Sequence, residues 1–249
     1  MQRIRREGYG EDIGQHSWVT ADELRADIHR LQLGASSTLV DLGCGPCGPL
    51  TFVLQTVRCA GVGVDVIDAA LHAGRARAES LGVANLLETR RADLNARLPF
   101  EAASSDAVMS LDAVIHVGER AQLFGEVARL LRPGGRFLFT DGGVITGPVS
   151  NEEMRRRTPN GTAYFVPLGW NDSLLERAGL RLIEVEDRTA SAARNATGRL
   201  VATRAHRGEL EREISSEGVD TQISFLETVA EVSRRRALSR IMYLSEKPA

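Results

Sequence analysis

The glycine-rich run Gly43-Cys44-Gly45-Pro46-Cys47-Gly48 carries the most chemistry in this sequence of 249 residues. It follows Thr38-Leu39-Val40-Asp41-Leu42, which reads as a buried strand, and precedes a helix that Pro49 can open. Gly43-x-Gly45-x-x-Gly48 between strand and helix is the spacing that lets backbone amides approach a pyrophosphate. Asp65, 20 residues past Gly45, stands where an acidic residue would hold ribose hydroxyls. An NAD(P)- or flavin-dependent oxidoreductase is one reading. Asp41 opposes it, because its carboxylate would sit beside the pyrophosphate and like charges in a partly dry crevice repel. A ligand that carries positive charge and no phosphate suits Asp41 better. The run also contains Cys44-Gly45-Pro46-Cys47, a Cys-x-x-Cys at a helix amino terminus, where a thiol can be activated for redox exchange. Two small side chains filling a tight loop is the plainer view of that pair.

The elements that would position these residues alternate along the chain. Thr20 and Glu23 form a capping box for a helix with Leu24, Ile28 and Leu31 inward, running up to Gly34. After the first strand and the helix through Val57 come a strand at 61–65, a helix through Leu81 that Asp68 can cap, and an Arg-rich third strand at 86–92. A fourth strand at 107–110 leads to a helix at 119–131, stopped by Pro133-Gly134-Gly135, and to a fifth strand at 136–140. Asn171 can cap a helix to Ala178, followed by a sixth strand at 180–187. Helices at 204–215 and 219–236 precede a last apolar run at 241–244. Strands alternating with helices imply an α/β fold, a seven-stranded, mostly parallel sheet with helices on both faces and helical inserts near the C-terminus. Ligands of such sheets bind beyond the carboxyl ends of the strands, which is where the polar clusters fall.

Composition narrows the function classes. Thirty-one basic against 33 acidic side chains give a net charge of −2, and 30 of the 31 are Arg, Lys247 being the exception. The arginines are dispersed, and the runs 155–157 and 234–236 read as solvated helix faces, so nucleic acid is not expected as a partner. No apolar stretch approaches the roughly 18 residues of a membrane span, and the amino terminus has no secretory pattern, so a cytoplasmic protein is expected. Three clustered cysteines make no disulfide framework, and no metal-ligand cluster is evident.

Leu39-Val40-Asp41-Leu42-Gly43-Cys44-Gly45 resembles motif I of the class I S-adenosylmethionine-dependent methyltransferases, and later features keep that family's order. Asp65 ends the second strand, Ala92-Asp93-Leu94 follows the third, and Leu131-Arg132-Pro133-Gly134-Gly135 precedes the fifth. The resemblance spans about residues 36–142 and the final strands, and implies the Rossmann-like fold of that family as a single domain over 1–249. Within it, 1–34 would form a lid and helix, and 143–170 and 189–237 inserts that shape the acceptor pocket. It implies S-adenosylmethionine as cofactor, S-adenosylhomocysteine as product, and a small molecule methylated on N or O. The cofactor residues it implies are Asp41, Gly43, Cys44, Gly45, Asp65, Val66, Asp93, Leu94, Ser110 and Gln15. One departure is Cys47, where the family often has glycine. Against a thioredoxin-type role, the usual tryptophan before the first cysteine is replaced by Gly43, and the chain is far longer than such a domain.

The segment Ser110 to Val117 resembles the acceptor-facing segment of phosphoethanolamine and related small-molecule N-methyltransferases, in which an aspartate and a histidine four residues later face the acceptor. Asp112 and His116 have that spacing, and on a helical turn they would share a face, which makes them the catalytic candidates. A helix cap for Asp112 and a core position for His116 are the structural alternatives. Tyr9 to Trp18 resembles the segment that closes over the cofactor in the same group, with Ile13 where some members place a catalytic tyrosine. Aromatics of the first insert, Tyr164 and Trp170 among them, could line the acceptor pocket or simply pack. Monomer and homodimer, enzyme and cofactor-binding module, all remain open on the sequence.

Overall fold

A computed structural model describes residues 2–159 and 161–249. Its sheet is laid down by β1 (Thr38–Leu42), β2 (Ala60–Asp65), β3 (Leu87–Arg91), β4 (Ser105–Leu111), β5 (Leu131–Ile145), β6 (Val166–Pro167), β7 (Arg181–Asp187) and β8 (Leu238–Glu246). The spatial order is β3-β2-β1-β4-β5-β8-β7, with the two-residue β6 beside the end of β5. β1 to β5 run parallel, and β8 is antiparallel to both neighbours. From β1 the chain moves outward to β3 and then crosses back to β4, so the switch point lies between β1 and β4, where a ligand crevice is expected.

Alternation of side chains splits the core between the two faces of the sheet. Leu39, Met109 and Leu138 pack under α2 (Ala21–Arg30), α3 (Gly48–Val57) and α4 (Asp68–Ser80), whose Leu24, Ile28, Leu50, Leu54 and Leu71 are buried. Val40, Leu42, Val108, Phe137 and Phe139 face α5 (Arg120–Leu130) and α7 (Trp170–Arg177). Phe124, Phe139 and Tyr243 stack through this second layer.

The third strand and the Thr20–Glu23 capping box form as expected. Two of the expected caps do not. Asp68 is the first residue of α4 after Ile67, and Asn171 is turned into a buried polar network while Gly169 precedes α7. β5 continues past Thr140 to Ile145, held by β8, and so brings Gly142 to the crevice.

A helical cap covers the carboxyl ends of the strands. It is made by α1 (Gln2–Tyr9), α8 (Thr189–Ala205), α9 (Arg207–Ile214) and α10 (Ser216–Arg234), with α6 (Asn151–Arg156) alongside. α8 escapes sequence reading because its inward face is built from small residues. Ala192 and Ala196 pack on Leu226, Val229 and Ala230 of α10 with no periodic bulky side chains. Among the described residues no helix is long and apolar enough to cross a membrane.

Candidate functional site

Between the strand ends and the helical cap lies a cavity of about 1240 Å³. Single small-molecule sites run to about 300–1,000 Å³, so there is room for a nucleoside and a second small molecule. One end is built by β1, β2 and the loop after β1. Gly43 has φ +74, and a Cβ there would come 2.4 Å from the Ala113 Cβ, so only glycine fits the turn. The amides of Gly43 and Cys44 both donate to Val64 O, tying the loop to the end of β2. Asp65 completes the tie, its carboxylate accepting Gly45 N at 2.8 Å and Ile67 N at 3.0 Å. Asp65 therefore sets the loop as well as facing the cavity.

Asp41 lines the same end and is 2% exposed. No donor or cation of the described residues reaches its carboxylate. Burial, with the nearby Asp65 charge adding to it, pushes its pKa up to about 8. A buried carboxylate without a partner is costly unless a ligand supplies the countercharge. A nucleoside bearing ammonium and sulfonium groups fits that requirement, and a pyrophosphate does not. Val66, Asp93 and Leu94 continue the wall. Asp93 accepts Asn95 N and Nδ2, each at 2.9 Å, and these bonds hold its pKa below the ordinary value.

Two residues implied as cofactor ligands do not line the cavity. The Ser110 hydroxyl is buried and donates to Leu42 O at 2.8 Å, joining β4 to β1. Gln15, 1% exposed, accepts Ile13 N and donates to Glu11 O, so its amide closes a turn within the lead-in segment. Each has backbone partners and lies behind the cavity wall rather than on it.

The cysteine pair is built for packing. The Sγ atoms are 3.6 Å apart, with Cys47 donating to Cys44. That hydrogen bond, burial and the Asp41 charge all push the Cys44 thiol up, away from the thiolate that redox exchange requires. Cys47 takes the left-handed conformation, φ +54, which explains why glycine suits the position.

Asp112 and His116 both line the cavity, but they do not form a pair on one helical turn. Only Val114–His116 is helical, a single 3-10 turn, and Asp112 precedes it in the left-handed region at φ +58. The Asp112 carboxylate accepts Trp18 N at 2.7 Å and Arg240 Nε at 2.9 Å, and Arg240 also donates to Glu23. Burial alone would raise its pKa; the Arg240 charge and these hydrogen bonds outweigh that and hold it low. Asp112 thus clamps the lead-in segment to the end of β8. The ring of His116 is exposed on the cavity wall, with Nδ1 2.7 Å from Thr162 O. A carbonyl oxygen only accepts, so Nδ1 carries the proton and the Nε2 lone pair of the neutral ring is left for chemistry.

The far end is lined by the segment and the inserts expected there, His16 and Trp18 of the expected lid included, but Arg157, Arg199 and Phe225 are not singled out by the sequence. His16, Ser17 and Trp18 close it from the lead-in segment, and Arg157, Arg199 and Phe225 from the two inserts. Ile13 is buried in the core, whereas Tyr9 donates from its hydroxyl to Ser17 O. Tyr164 and Trp170 are about half exposed and lie outside the cavity. Arg155 and Arg156 pair with Glu152 on the surface as a solvated run should, but Arg157 turns inward.

Residues 40–139 match the family model described as a methyltransferase domain. A dimethylglycine N-methyltransferase from Parasynechococcus marenigrum (strain WH8102) is 29% identical over 227 residues, covering 85% of this chain and 79% of that protein. Methyltransferase GfsG from Streptomyces halstedii is 30% identical over 162 residues, 64% of this chain and 58% of that one. Among solved structures, Haemonchus contortus phosphoethanolamine N-methyltransferase 2 in complex with phosphomonomethylethanolamine and S-adenosylhomocysteine superimposes with a TM-score of 0.86 at 20% identity. The match covers 99% of this chain and 57% of that one.

Proposed function

We propose, from the premise that this chain belongs to the class I S-adenosylmethionine-dependent methyltransferases, that it methylates the nitrogen of a small amine. The observation that carries the reading is the partnerless buried carboxylate of Asp41 beside the Gly43–Gly45 loop, in one cavity with His116. When bound, S-adenosylmethionine supplies an electrophilic methyl group on a sulfonium. Asp41 would meet the positive charge of that cofactor, Asp65 its ribose, and Val66, Asp93 and Leu94 its adenine. Holding the acceptor in line within a closed cavity can supply several kcal/mol of the barrier, roughly 7–11 at best. An ammonium has no lone pair with which to attack, so the acceptor must first lose its proton. The Nε2 of His116, freed by the Thr162 contact, is the group placed to take it. Asp112 acts at one remove, by fixing Trp18 and the lead-in segment over the site. The dimethylglycine and phosphoethanolamine enzymes among the relatives favour nitrogen over oxygen as the acceptor atom.

The test is calorimetric titration with S-adenosylmethionine and with NAD, followed by an acceptor screen that measures S-adenosylhomocysteine release. Binding of S-adenosylmethionine alone and product release with an amine are expected. Tight NAD binding without an S-adenosylmethionine signal would overturn the reading, and cofactor binding without turnover of any acceptor would reduce the protein to a binding module.

A further inference from the structure

At the far end of the cavity Arg157 presents an uncompensated positive charge. Its guanidinium lies 5.3 Å from the ring centre of Phe225 and 6.0 Å from that of Trp18. Neither a hydrogen bond nor an ion pair holds it among the described residues. The two acidic groups closest in charge to it are already engaged. Asp112 is bound by Arg240, and Asp141 by Arg120 at 2.6 Å, Asn171 at 3.0 Å and Gly143 N at 2.8 Å. Space is kept for the guanidinium by Gly142, where a Cβ would come 3.1 Å from Nη2. Arg199 adds a second cation on the same tryptophan, 5.1 Å from its ring centre.

The fully buried arginines of this fold behave differently. Arg188 and Arg240 have carboxylate partners, which more than offset their burial and raise their pKa. Arg157 has none, and burial shifts it the other way. A planar fork of donors set against aromatic rings on a cavity wall is suited to a carboxylate or a phosphate.

Resting on the methyl-transfer reading of the cavity, we propose that Arg157 binds an anionic group of the acceptor, so that the substrates are amines carrying a carboxylate or a phosphate. Trp18 and Phe225 hold the guanidinium, and the acceptor's own anion supplies the missing countercharge. The amine is thereby directed toward His116 and the cofactor end. Amino alcohols of the same size, which carry the amine but no anionic group, leave Arg157 unpaired and are poor substrates.

Two matched pairs test this: N,N-dimethylglycine against N,N-dimethylethanolamine, and phosphoethanolamine against ethanolamine. Binding is read by calorimetry on S-adenosylhomocysteine-saturated protein, and turnover by S-adenosylhomocysteine release. The anionic member of at least one pair is expected to bind, and which pair responds separates carboxylate from phosphate. Arg157→Gln should weaken that acceptor roughly 10- to 100-fold, as a rise in KM with kcat changed less than about threefold. Arg157→Lys should fall between. S-adenosylmethionine affinity and Tm should both be unchanged, since the half-buried Arg157 side chain makes no hydrogen bond or ion pair among the described residues. Amino alcohols binding as well as their carboxylate- or phosphate-bearing partners, binding of neither anion-bearing amine, or an Arg157→Gln protein that binds the anion-bearing amine as wild type does would each overturn the proposal. Anion binding lost in Arg157→Gln, with no acceptor ever methylated, would support the anion site and overturn the transferase reading instead.

Discussion

At one end of the cavity Asp41 is a buried carboxylate without a cation; at the other Arg157 is a half-buried guanidinium without an anion. Between them Asp112 and Asp141 are each matched by an arginine of their own, Arg240 and Arg120. The paired charges hold the walls together, tying the lead-in segment to β8 and α5 to β5. The unpaired ones face space. A desolvated polar group without a partner is expensive to keep, and the difference between the two kinds separates groups that build the site from groups that await a ligand.

Variants should respect that division. The largest effect is expected at His116, which stands between the two ends. His116→Ala should lower kcat by about 10²–10⁴, with S-adenosylmethionine affinity within a few-fold and little change in Tm, because the ring is exposed. The loss should shrink at high pH, where the amine sheds its proton unaided. A large drop in Tm with normal turnover per folded molecule would make His116 a packing residue. Next comes Asp65, which belongs to both kinds by bracing the loop and facing the cavity. Asp65→Ala should raise the Kd for S-adenosylmethionine by about 10- to 100-fold, since each charge-assisted hydrogen bond is worth roughly 1.5–3 kcal/mol. Unchanged affinity would place the cofactor elsewhere. Asp112 is a wall residue, so its loss should appear in stability first. Asp112→Asn leaves the buried Arg240 with Glu23 as its remaining carboxylate, at a cost of up to about 3–5 kcal/mol, or a Tm lower by up to about 6–20 °C. A fall in kcat with no change in Tm would return Asp112 to the chemistry.

The two ends also differ in how far the sequence discloses them. Asp41, Gly43, Gly45, Asp65 and Asp93 are spelled out at strand ends within one stretch of chain, so spacing alone brings them together. The same logic over-reads Ser110 and Gln15, polar residues in the right places whose groups are used up by Leu42, Ile13 and Glu11. It also groups Asp112 with His116, because nothing local shows that Arg240, 128 positions on, takes the carboxylate. Arg157 is hidden in a run of three arginines that looks like one solvated face. Arg155 and Arg156 follow the helix out to Glu152, while Arg157, just past its last turn, points in. Only the packing of two distant inserts gives it a role. The long small-residue helix α8 is invisible for a related reason, since close packing through Ala192 and Ala196 leaves no bulky period to read.

The affinity for S-adenosylmethionine should itself depend on pH through Asp41. Its pKa of about 8 means that the free protein holds the proton at neutral pH, whereas a cationic ligand favours the ionised form. Affinity should therefore rise with pH by up to about tenfold per unit, levelling off above about pH 8, and this dependence should be absent in Asp41→Asn. The direct measurement is calorimetry of S-adenosylmethionine binding at pH 7 in buffers of different ionisation enthalpy, on wild type and Asp41→Asn. Wild type should release more protons per cofactor bound than the variant, by up to one, because Asp41 is largely protonated at that pH in the free protein. Equal proton release from the two proteins would show that the buried carboxylate does not answer the cofactor's charge, and would contradict the assignment of this end of the cavity.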